Sequence, residues 1–214
     1  MSLRSAFGVA AFLLAVGAQA QIVVGQTDTF PVDTMSWQGA HPSWVSTGGP
    51  GGAGDSFLQL VSTGGSGPGS NMALNNSSQW SGDYTSAGVG SISADFENLG
   101  DTQLIMRLTF FDSNDSTQWV SSSFITLDPG TGWQHFTYAI DPGQFIQTEG
   151  TTSFADTMSN VHRMMFRHDP VGSSGGTSIV ATLGVDNIHA APVPEPASLA
   201  VVGLGVLALL RRRR

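Results

Sequence analysis

The residue types that most often perform catalysis are absent or badly placed in this chain. It contains no cysteine, which excludes thiol catalysis and cysteine zinc sites. The pattern Gly-x-Ser-x-Gly occurs at Gly172–Gly176, but in a Gly/Ser connector without the helix that would present a nucleophilic hydroxyl. The pattern Gly-x-Gly-x-x-Gly occurs at Gly49–Gly54, yet it neither follows a clear strand nor opens a helix. Both matches are what a glycine-rich chain produces by chance.

Histidine and carboxylate chemistry has little support from spacing. His162 and His168 share one predicted strand, but six residues at about 3.3 Å each place them about 20 Å apart, too far to hold one ion. Glutamate is scarce, with Glu97 and Glu149 alone in the central part of the chain. A hydrolase with paired carboxylates stays open as an alternative, because the separation of the two groups in space decides that reaction.

Aromatic side chains are the better candidates for binding. Trp80 and Tyr84 lie in a polar stretch rather than on an alternating strand, so the sequence predicts that they form a platform on which a sugar ring stacks. The alternative is that both rings belong to the core, as tryptophan in a small β-domain often does.

Charge excludes one class of partner. Residues 21–192 hold 15 acidic residues, three arginines and no lysine. Nucleic acids are bound through Lys and Arg contacts to phosphate, so this region is not a nucleic-acid-binding domain. An acidic surface suits neutral glycans or cations. Without disulfides, this region depends on its core, to which a bound metal ion can add stability.

The N-terminus has the order of a secretory signal peptide. Arg4 precedes an apolar run from Ala6 to Val16, and Ala18-Gln19-Ala20 follows as a small-residue cleavage site. The sequence predicts a signal peptide at residues 1–20, removed by signal peptidase before Gln21. The apolar run is too short to span a bilayer, which needs about 20 residues.

The C-terminus is a separate element. The segment Val193-Pro194-Glu195-Pro196 is predicted to end the regular structure before it, because proline removes a backbone donor and disfavours helix in the residue that precedes it. The segment 197–210 carries no charge and is followed by Arg211, Arg212, Arg213 and Arg214. The four arginines favour a cytoplasmic end, so we expect a membrane segment with the domain outside.

This tail resembles that of PEP-CTERM proteins, with its Pro-Glu-Pro triplet, short apolar helix and arginine cluster. The resemblance implies sorting by an exosortase-type membrane protease at residues 193–214. It further implies a Gram-negative bacterium that makes exopolysaccharide, and a domain that is transiently anchored in the inner membrane before it reaches the envelope surface or matrix. A permanent C-terminal anchor is the alternative, because hydropathy does not separate it from a processed one.

Between the two ends, residues 21–192 are predicted to form one all-β domain, an antiparallel sandwich of jelly-roll type. Apolar and polar residues alternate, and Gly-, Pro- and Asp-rich turns separate the segments. The predicted strands are Phe57–Val61, Val89–Phe96, Gln103–Phe111, Trp119–Leu127, Trp133–Ile140, His162–His168 and Ile179–Ala190, the last with a break near Gly184. A short helical turn is predicted within Thr152–Asn160.

Four short sequence segments resemble those of galactose-binding-like and carbohydrate-binding-module-like sandwiches: residues 54–58, 80–85, 105–108 and 185–188. In such domains a structural calcium ion commonly joins an N-terminal loop to an acidic residue on the last strand. The resemblance therefore implies Asp186 as one ligand, with Asp33 and Asp55 as partners. The alternative is that these aspartates cap turns or face solvent. Asp112-Ser113-Asn114-Asp115 lacks the glycine and distal glutamate of a calcium loop and predicts a hairpin turn.

Three functions follow from these observations. The leading one is a noncatalytic surface or matrix protein whose sandwich associates with exopolysaccharide. The second is a purely structural surface or biofilm protein without a small ligand. The third is the secreted glycan hydrolase left open above.

Overall fold

The computed structural model describes residues 21–65 and 69–194. The predicted signal peptide, the apolar segment 197–210 and the arginine cluster lie outside these residues. Within the described part of the chain, no helix is long and apolar enough to cross a membrane.

Thirteen strands and two short helices make up the described chain. The strands are β1 Thr27–Asp28, β2 Gln38–Gly39, β3 Ser43–Val45, β4 Phe57–Thr63, β5 Ala73–Asn76, β6 Val89–Asn98, β7 Leu104–Phe111, β8 Gln118–Ser121, β9 Ile125–Leu127, β10 Gln134–Ala139, β11 Phe145–Glu149, β12 Arg163–His168 and β13 Val180–Pro192. The helices are α1 Tyr84–Ala87 and α2 Phe154–Met158, and a 3₁₀ turn spans Pro142–Gln144.

The strands form two antiparallel sheets. Sheet 1 has the order β10-β6-β13-β4-β3, with β1 paired to β13. Sheet 2 has the order β11-β8-β7-β12-β5-β2, with β9 paired to β7. Apolar side chains of both sheets share one core, so each strand keeps one face inside and turns the other outward. The predicted antiparallel sandwich is therefore confirmed.

Six of the seven predicted strands are present with small changes at their ends. The seventh, Trp119–Leu127, is two strands, β8 and β9. The break has a local cause: the Arg107 guanidinium donates hydrogen bonds to the carbonyls of Ser121 and Ser122, at 2.8 and 2.7 Å. Those carbonyls are therefore turned toward a side chain at the point where β8 ends.

The last strand is continuous through Gly184, where a break was predicted. Its irregularity lies two residues further on, where the register with β6 shifts between Asp186 and His189. Asn187 has a left-handed φ of 50° at this bulge. Gly184 has a different role, because a side chain there would meet the Trp133 indole, which lies over the outer face of the sheet.

Both helices begin at capped residues. Ser153 accepts a hydrogen bond from the Asp156 N–H at the start of α2, which confirms the predicted helical turn. Asp83 accepts one from the Ser86 N–H at the start of α1, and Gly88 ends that helix in the left-handed conformation. Helix α1 escaped prediction because one turn of four residues produces no apolar period.

A buried carboxylate ties the two sheets together at one end of the sandwich. Asp28 on β1 is 2% exposed, and its Oδ2 accepts hydrogen bonds from the indole N–H groups of Trp37 (2.7 Å) and Trp80 (2.6 Å). The Gln79 amide donates to the same oxygen at 3.0 Å. Since β1 belongs to sheet 1 and Trp80 follows a strand of sheet 2, this carboxylate joins both layers through the core.

We expect Asp28→Ala to lower the free energy of unfolding by about 3 kcal/mol, because it leaves two buried indole N–H groups without an acceptor. Urea denaturation followed by tryptophan fluorescence measures the change. Asp33→Ala is the matched control, since Asp33 lies exposed in the same N-terminal loop. It should change stability by less than about 0.5 kcal/mol, and equal losses in the two variants would contradict the assigned role of Asp28.

Candidate functional site

The structure places Trp80 and Tyr84 in the core. Trp80 is 0% exposed and Tyr84 is 1% exposed, and the Tyr84 hydroxyl donates to the Trp80 carbonyl at 2.9 Å. The Tyr84 ring packs edge-on against Phe110. Neither ring face is available to a ligand, which corrects the predicted stacking platform. Sequence reasoning missed this because the polar residues around both positions form the loop between β5 and α1 and the surface of α1, while the two rings point inward.

All three arginines of the predicted domain lie together on the outer face of sheet 2. On β7, Leu108 and Phe110 face the core, so Arg107 points outward. Arg163 and Arg167 on β12 alternate in the same way with the core residues Met164 and Phe166. Arg167 is directly opposite Arg107 in the register of the two strands. A domain with 15 acidic residues thus concentrates its cationic side chains on one surface.

One wall of this surface is the loop that follows β12. The Arg107 Nε donates to the Asp169 carbonyl at 2.7 Å. Arg167 donates to the carbonyls of Ser173 and Ser174 and to the Asp169 carboxylate, the last at 3.1 Å. Asp169 in turn accepts the N–H groups of Gly172 and Ser173, both at 2.8 Å. The loop is therefore fixed over the sheet by the two buried arginines.

The opposite wall is the hairpin turn between β7 and β8, as predicted for residues 112–115. Arg163 donates to the Asp115 carboxylate through two nitrogens: Nη2 lies 2.8 Å from both oxygens, and Nε lies 3.2 Å from Oδ1. The same guanidinium lies 3.9 Å from the centre of the Phe111 ring. The guanidinium is therefore held over an aromatic ring and oriented by a carboxylate.

Asp112 keeps this turn closed. Burial acts to raise the pKa of its carboxyl group, but hydrogen bonds from the N–H groups of Thr117 and Ser116 and from the Thr152 hydroxyl outweigh it and lower the pKa to about 2. The stability that Asp112 contributes is therefore present above about pH 4 and is lost as the pH falls toward 2.

Between the walls lies a cleft of about 250 Å³. Its lining combines planar polar side chains with apolar surface: Asn71, Ala73, Phe111, Gln118, Arg163, Met165, Arg167 and the Ser174–Gly176 segment. Among the described residues, the Arg167 Nε and the Thr109 Oγ1 are buried polar atoms without a hydrogen-bond partner, and both residues point to this face. The cleft thus offers amide and guanidinium donors beside an apolar floor.

An exposed aromatic ring lies on the same face. Phe124, in the segment between β8 and β9, is 45% exposed. The Arg107 guanidinium lies 4.6 Å from its ring centre, so one face of the ring is supported and the other meets solvent. No alternating pattern marks Phe124 in the sequence, because it stands in the break between two strands.

A second cluster of ionisable groups lies on the outer face of sheet 1. Asp186 on β13 is 0% exposed and lies opposite Asp95 on β6. The Asp186 Oδ1 accepts the Asn187 N–H at 2.8 Å, whereas its Oδ2 has no partner. Asp95 is engaged by His135 and by the Asn187 side chain, both at 2.7 Å.

Burial raises the pKa of Asp186 to about 7. The Asn187 N–H opposes this rise, and the charges of Asp55 and Asp95 add to it. Of the three aspartates implied as calcium ligands, Asp55 and Asp186 are therefore electrostatic neighbours. Asp33 is not one of the carboxylates that raise this pKa, and it accepts the Met35 N–H in an exposed turn. Over residues 21–65 and 69–194, no group of three or more His, Asp or Glu side chains is arranged to hold a metal ion.

Solved structures with the same arrangement of strands include carbohydrate-binding modules. A family 11 module from Clostridium thermocellum, solved with a β-1,3-1,4-mixed-linked tetrasaccharide, matches 81% of this chain and 99% of its own, with 18% identity and a TM-score of 0.52. The family 11 module of the cellulase Lic26A-Cel5E matches 79% of this chain and 95% of its own, with 17% identity and a TM-score of 0.51. The fold is the jelly-roll β-sandwich of these modules.

An exo-β-agarase matches 80% of this chain with 15% identity and a TM-score of 0.57, but the match spans only 26% of the agarase chain. No curated protein sequence matches the chain. Residues 192–214 match the PEP-CTERM protein-sorting motif, which confirms the resemblance of the tail. The motif indicates an exported bacterial surface protein that is processed by an exosortase.

We expect stability to fall as the pH rises from about 4 to 7. The folded-state pKa of Asp186, about 7, exceeds the value of about 3.9 in an unfolded chain, so the folded state binds the proton more tightly throughout that window. Ionisation should cost on the order of 3 kcal/mol. Melting temperatures in chelator at pH 5 and pH 8 measure this. Asp186→Asn should remove most of the decrease, whereas Asp33→Asn should retain it; a decrease that persists in Asp186→Asn would contradict the assignment.

Proposed function

We propose that the sandwich is a noncatalytic glycan-binding module that associates with exopolysaccharide at the bacterial surface. The observation that carries the proposal is the cleft on the outer face of sheet 2, between the Asp169 loop and the Asp112–Asp115 turn. Sugar rings present hydroxyl groups around their edge and apolar C–H groups on their faces. A concave site with a few oriented polar groups and apolar walls suits such a ligand.

The chemistry of the cleft supports a neutral saccharide. The partly buried Arg163 is already paired with Asp115, and the buried Arg167 is paired with Asp169. The cleft therefore has little unbalanced positive charge with which to attract a polyanion. The Arg163 guanidinium remains as a directional hydrogen-bond donor, whereas the Gln118 amide is held by Glu149 and Arg167 and fixes the shape of the cleft. Met165 supplies apolar surface. Phe124 provides a supported ring on the same face of sheet 2, on which a sugar face can stack.

A hydrolase is disfavoured by the same contacts. A retaining or inverting glycosidase needs two carboxyl groups free to act on either side of the glycosidic bond. At this cleft, Asp115 is held by Arg163, and Asp169 is held by Arg167 and by backbone N–H groups. The modules that match over nearly their whole length also carry the carbohydrate-binding name rather than an enzyme name.

The structural alternative, a surface or biofilm protein without a small ligand, predicts self-association instead of saccharide binding. It is separated from the leading proposal by the binding experiment below, run together with sedimentation of the protein alone.

For the route to the surface, we propose cleavage by signal peptidase before Gln21, transient anchoring in the inner membrane of a Gram-negative cell through segment 197–210, and removal of the tail near Pro194-Glu195-Pro196. The mass of the mature protein recovered from the envelope checks both cleavages. A mature protein that retains Arg214 would indicate a permanent anchor.

We further propose that a structural calcium ion occupies the cluster on sheet 1. The unpartnered, buried Oδ2 of Asp186 fits a cation, and Asp55 and Asp95 supply further charge. Asp33, in the N-terminal loop, is also proposed as a ligand of this ion. Calcium would neutralise the three carboxylates and should raise the melting temperature at pH 8 relative to chelator. Asp186→Asn should abolish that increase. Equal melting temperatures with and without calcium would instead assign the neutralising role to a proton on Asp186.

We expect Phe124→Ala and Arg163→Gln each to weaken glycan binding by about fivefold, or about 1 kcal/mol, because each removes one contact surface from the outer face of sheet 2. Affinity electrophoresis in mixed-linked β-glucan, in agarose and in extracted exopolysaccharide measures the retention. Trp44→Ala is the matched control, since Trp44 is 41% exposed but lies on sheet 1. Retention that is unchanged in both cleft variants would refute this binding surface.

A further inference from the structure

A second concavity lies at the end of the sandwich where the chain leaves toward its tail. Its volume is about 280 Å³, and its lining is almost entirely apolar: Tyr84, Thr85, Val89, Ile140, Pro142, Phe154, Ala155, Met158 and Val193. The walls come from α1, α2, the start of β6 and the end of β10. We call this concavity the tail-exit pocket.

The last described residues form the rim of the tail-exit pocket. The Val193 N–H donates to the Gly88 carbonyl at 3.1 Å, so the chain is fixed there directly after β13. The Val193 backbone also lies in contact with Gly90, where a side chain would collide with it. Val193 itself is 59% exposed. The chain therefore leaves the domain beside an apolar pocket that nothing in the described residues fills.

The sequence that follows Val193 contains apolar side chains of the kind that this pocket would bury. After Pro194-Glu195-Pro196, the first large apolar side chain is Leu199. Leu199 lies six positions after Val193, which corresponds to a reach of up to about 20 Å. The pocket begins at Val193, so Leu199 can enter it once the chain reverses direction at the Pro-Glu-Pro triplet.

The length of the tail supplies a second argument. The fourteen residues from Ala197 to Leu210 would be about 21 Å long as a helix, against a hydrocarbon core of about 30 Å. A segment that spans poorly gains by burying its first apolar residues against protein. The pocket is too small for the whole segment but can enclose one or two side chains.

We propose that the tail-exit pocket binds the beginning of the protein's own sorting tail, with Leu199 as the inserted side chain. Docking holds the Pro-Glu-Pro triplet against the domain between two fixed points, Val193 and Leu199. Release from the pocket then becomes a step that precedes processing, so the folded domain regulates access to its own sorting motif. The inference does not depend on glycan binding.

Disulfide cross-linking tests the docking directly, because the chain contains no cysteine. The full-length chain in mild detergent carries Leu199→Cys together with Ala155→Cys, an exposed position that lines the pocket. The control pairs Leu199→Cys with Ser86→Cys, an exposed position on α1 that does not line it. We expect the intramolecular disulfide to form at least tenfold faster in the pocket pair.

Equal rates in the two pairs would overturn the proposal, because they would mean that the tail prefers the micelle or samples the surface at random. Disulfides formed only between molecules would also overturn it and would assign the pocket to a second copy of the chain.

A filling variant gives an independent readout without cysteine. Ala155→Trp should occupy the pocket and lower the hydrogen-exchange protection of the Leu199 region at least tenfold. Thr151→Trp, an exposed change just before α2 and outside the pocket, should leave that protection intact. A parent chain without any protection at Leu199 would contradict the docking.

Discussion

The buried carboxylate of Asp28 is the constraint on which the rest of the sandwich depends. A charge without solvent must be compensated, and here two indole N–H groups and one amide supply that compensation. The consequence reaches beyond stability. Fixing Trp80 fixes the segment that leads into α1, and the Tyr84 hydroxyl then bonds to the Trp80 carbonyl. The tail-exit pocket is built on this helix, so the core network also shapes the place where the chain leaves the domain.

The two outer faces of the sandwich divide its charge. Sheet 2 carries the three arginines, and each is neutralised or oriented by carbonyls or a carboxylate. Sheet 1 carries the aspartates 95 and 186, which lie near Asp55 with no arginine beside them. The first arrangement is suited to a neutral ligand with many hydroxyl groups. The second is destabilised at neutral pH unless a proton or a cation reduces its negative charge, because three carboxylates in a partly desolvated environment repel one another.

The strands that sequence reasoning found are those with a long alternating pattern, such as Val89–Asn98 and Leu104–Phe111. The strands it missed are two to five residues long. The shortest, Thr27–Asp28 and Gln38–Gly39, exist only because a neighbouring strand offers hydrogen bonds. The same distinction between local pattern and strand pairing applies to the candidate site. The positions of Arg107, Arg163 and Arg167 on strands were predictable, but their meeting on one face required the pairing of β7 with β12.

The sequence by itself determined how this protein is sorted and the class of its fold. The sorting motif at residues 192–214 is a local pattern that needs no neighbours to be recognised, and alternation with turn residues is enough to indicate an antiparallel sandwich. Only the tertiary structure decided which aromatic rings are exposed. Trp80 and Tyr84 stand in polar sequence yet are buried, while Phe124 stands beside a strand yet meets solvent. Burial is a property of what packs against a side chain, and those partners come from elements that are distant along the chain.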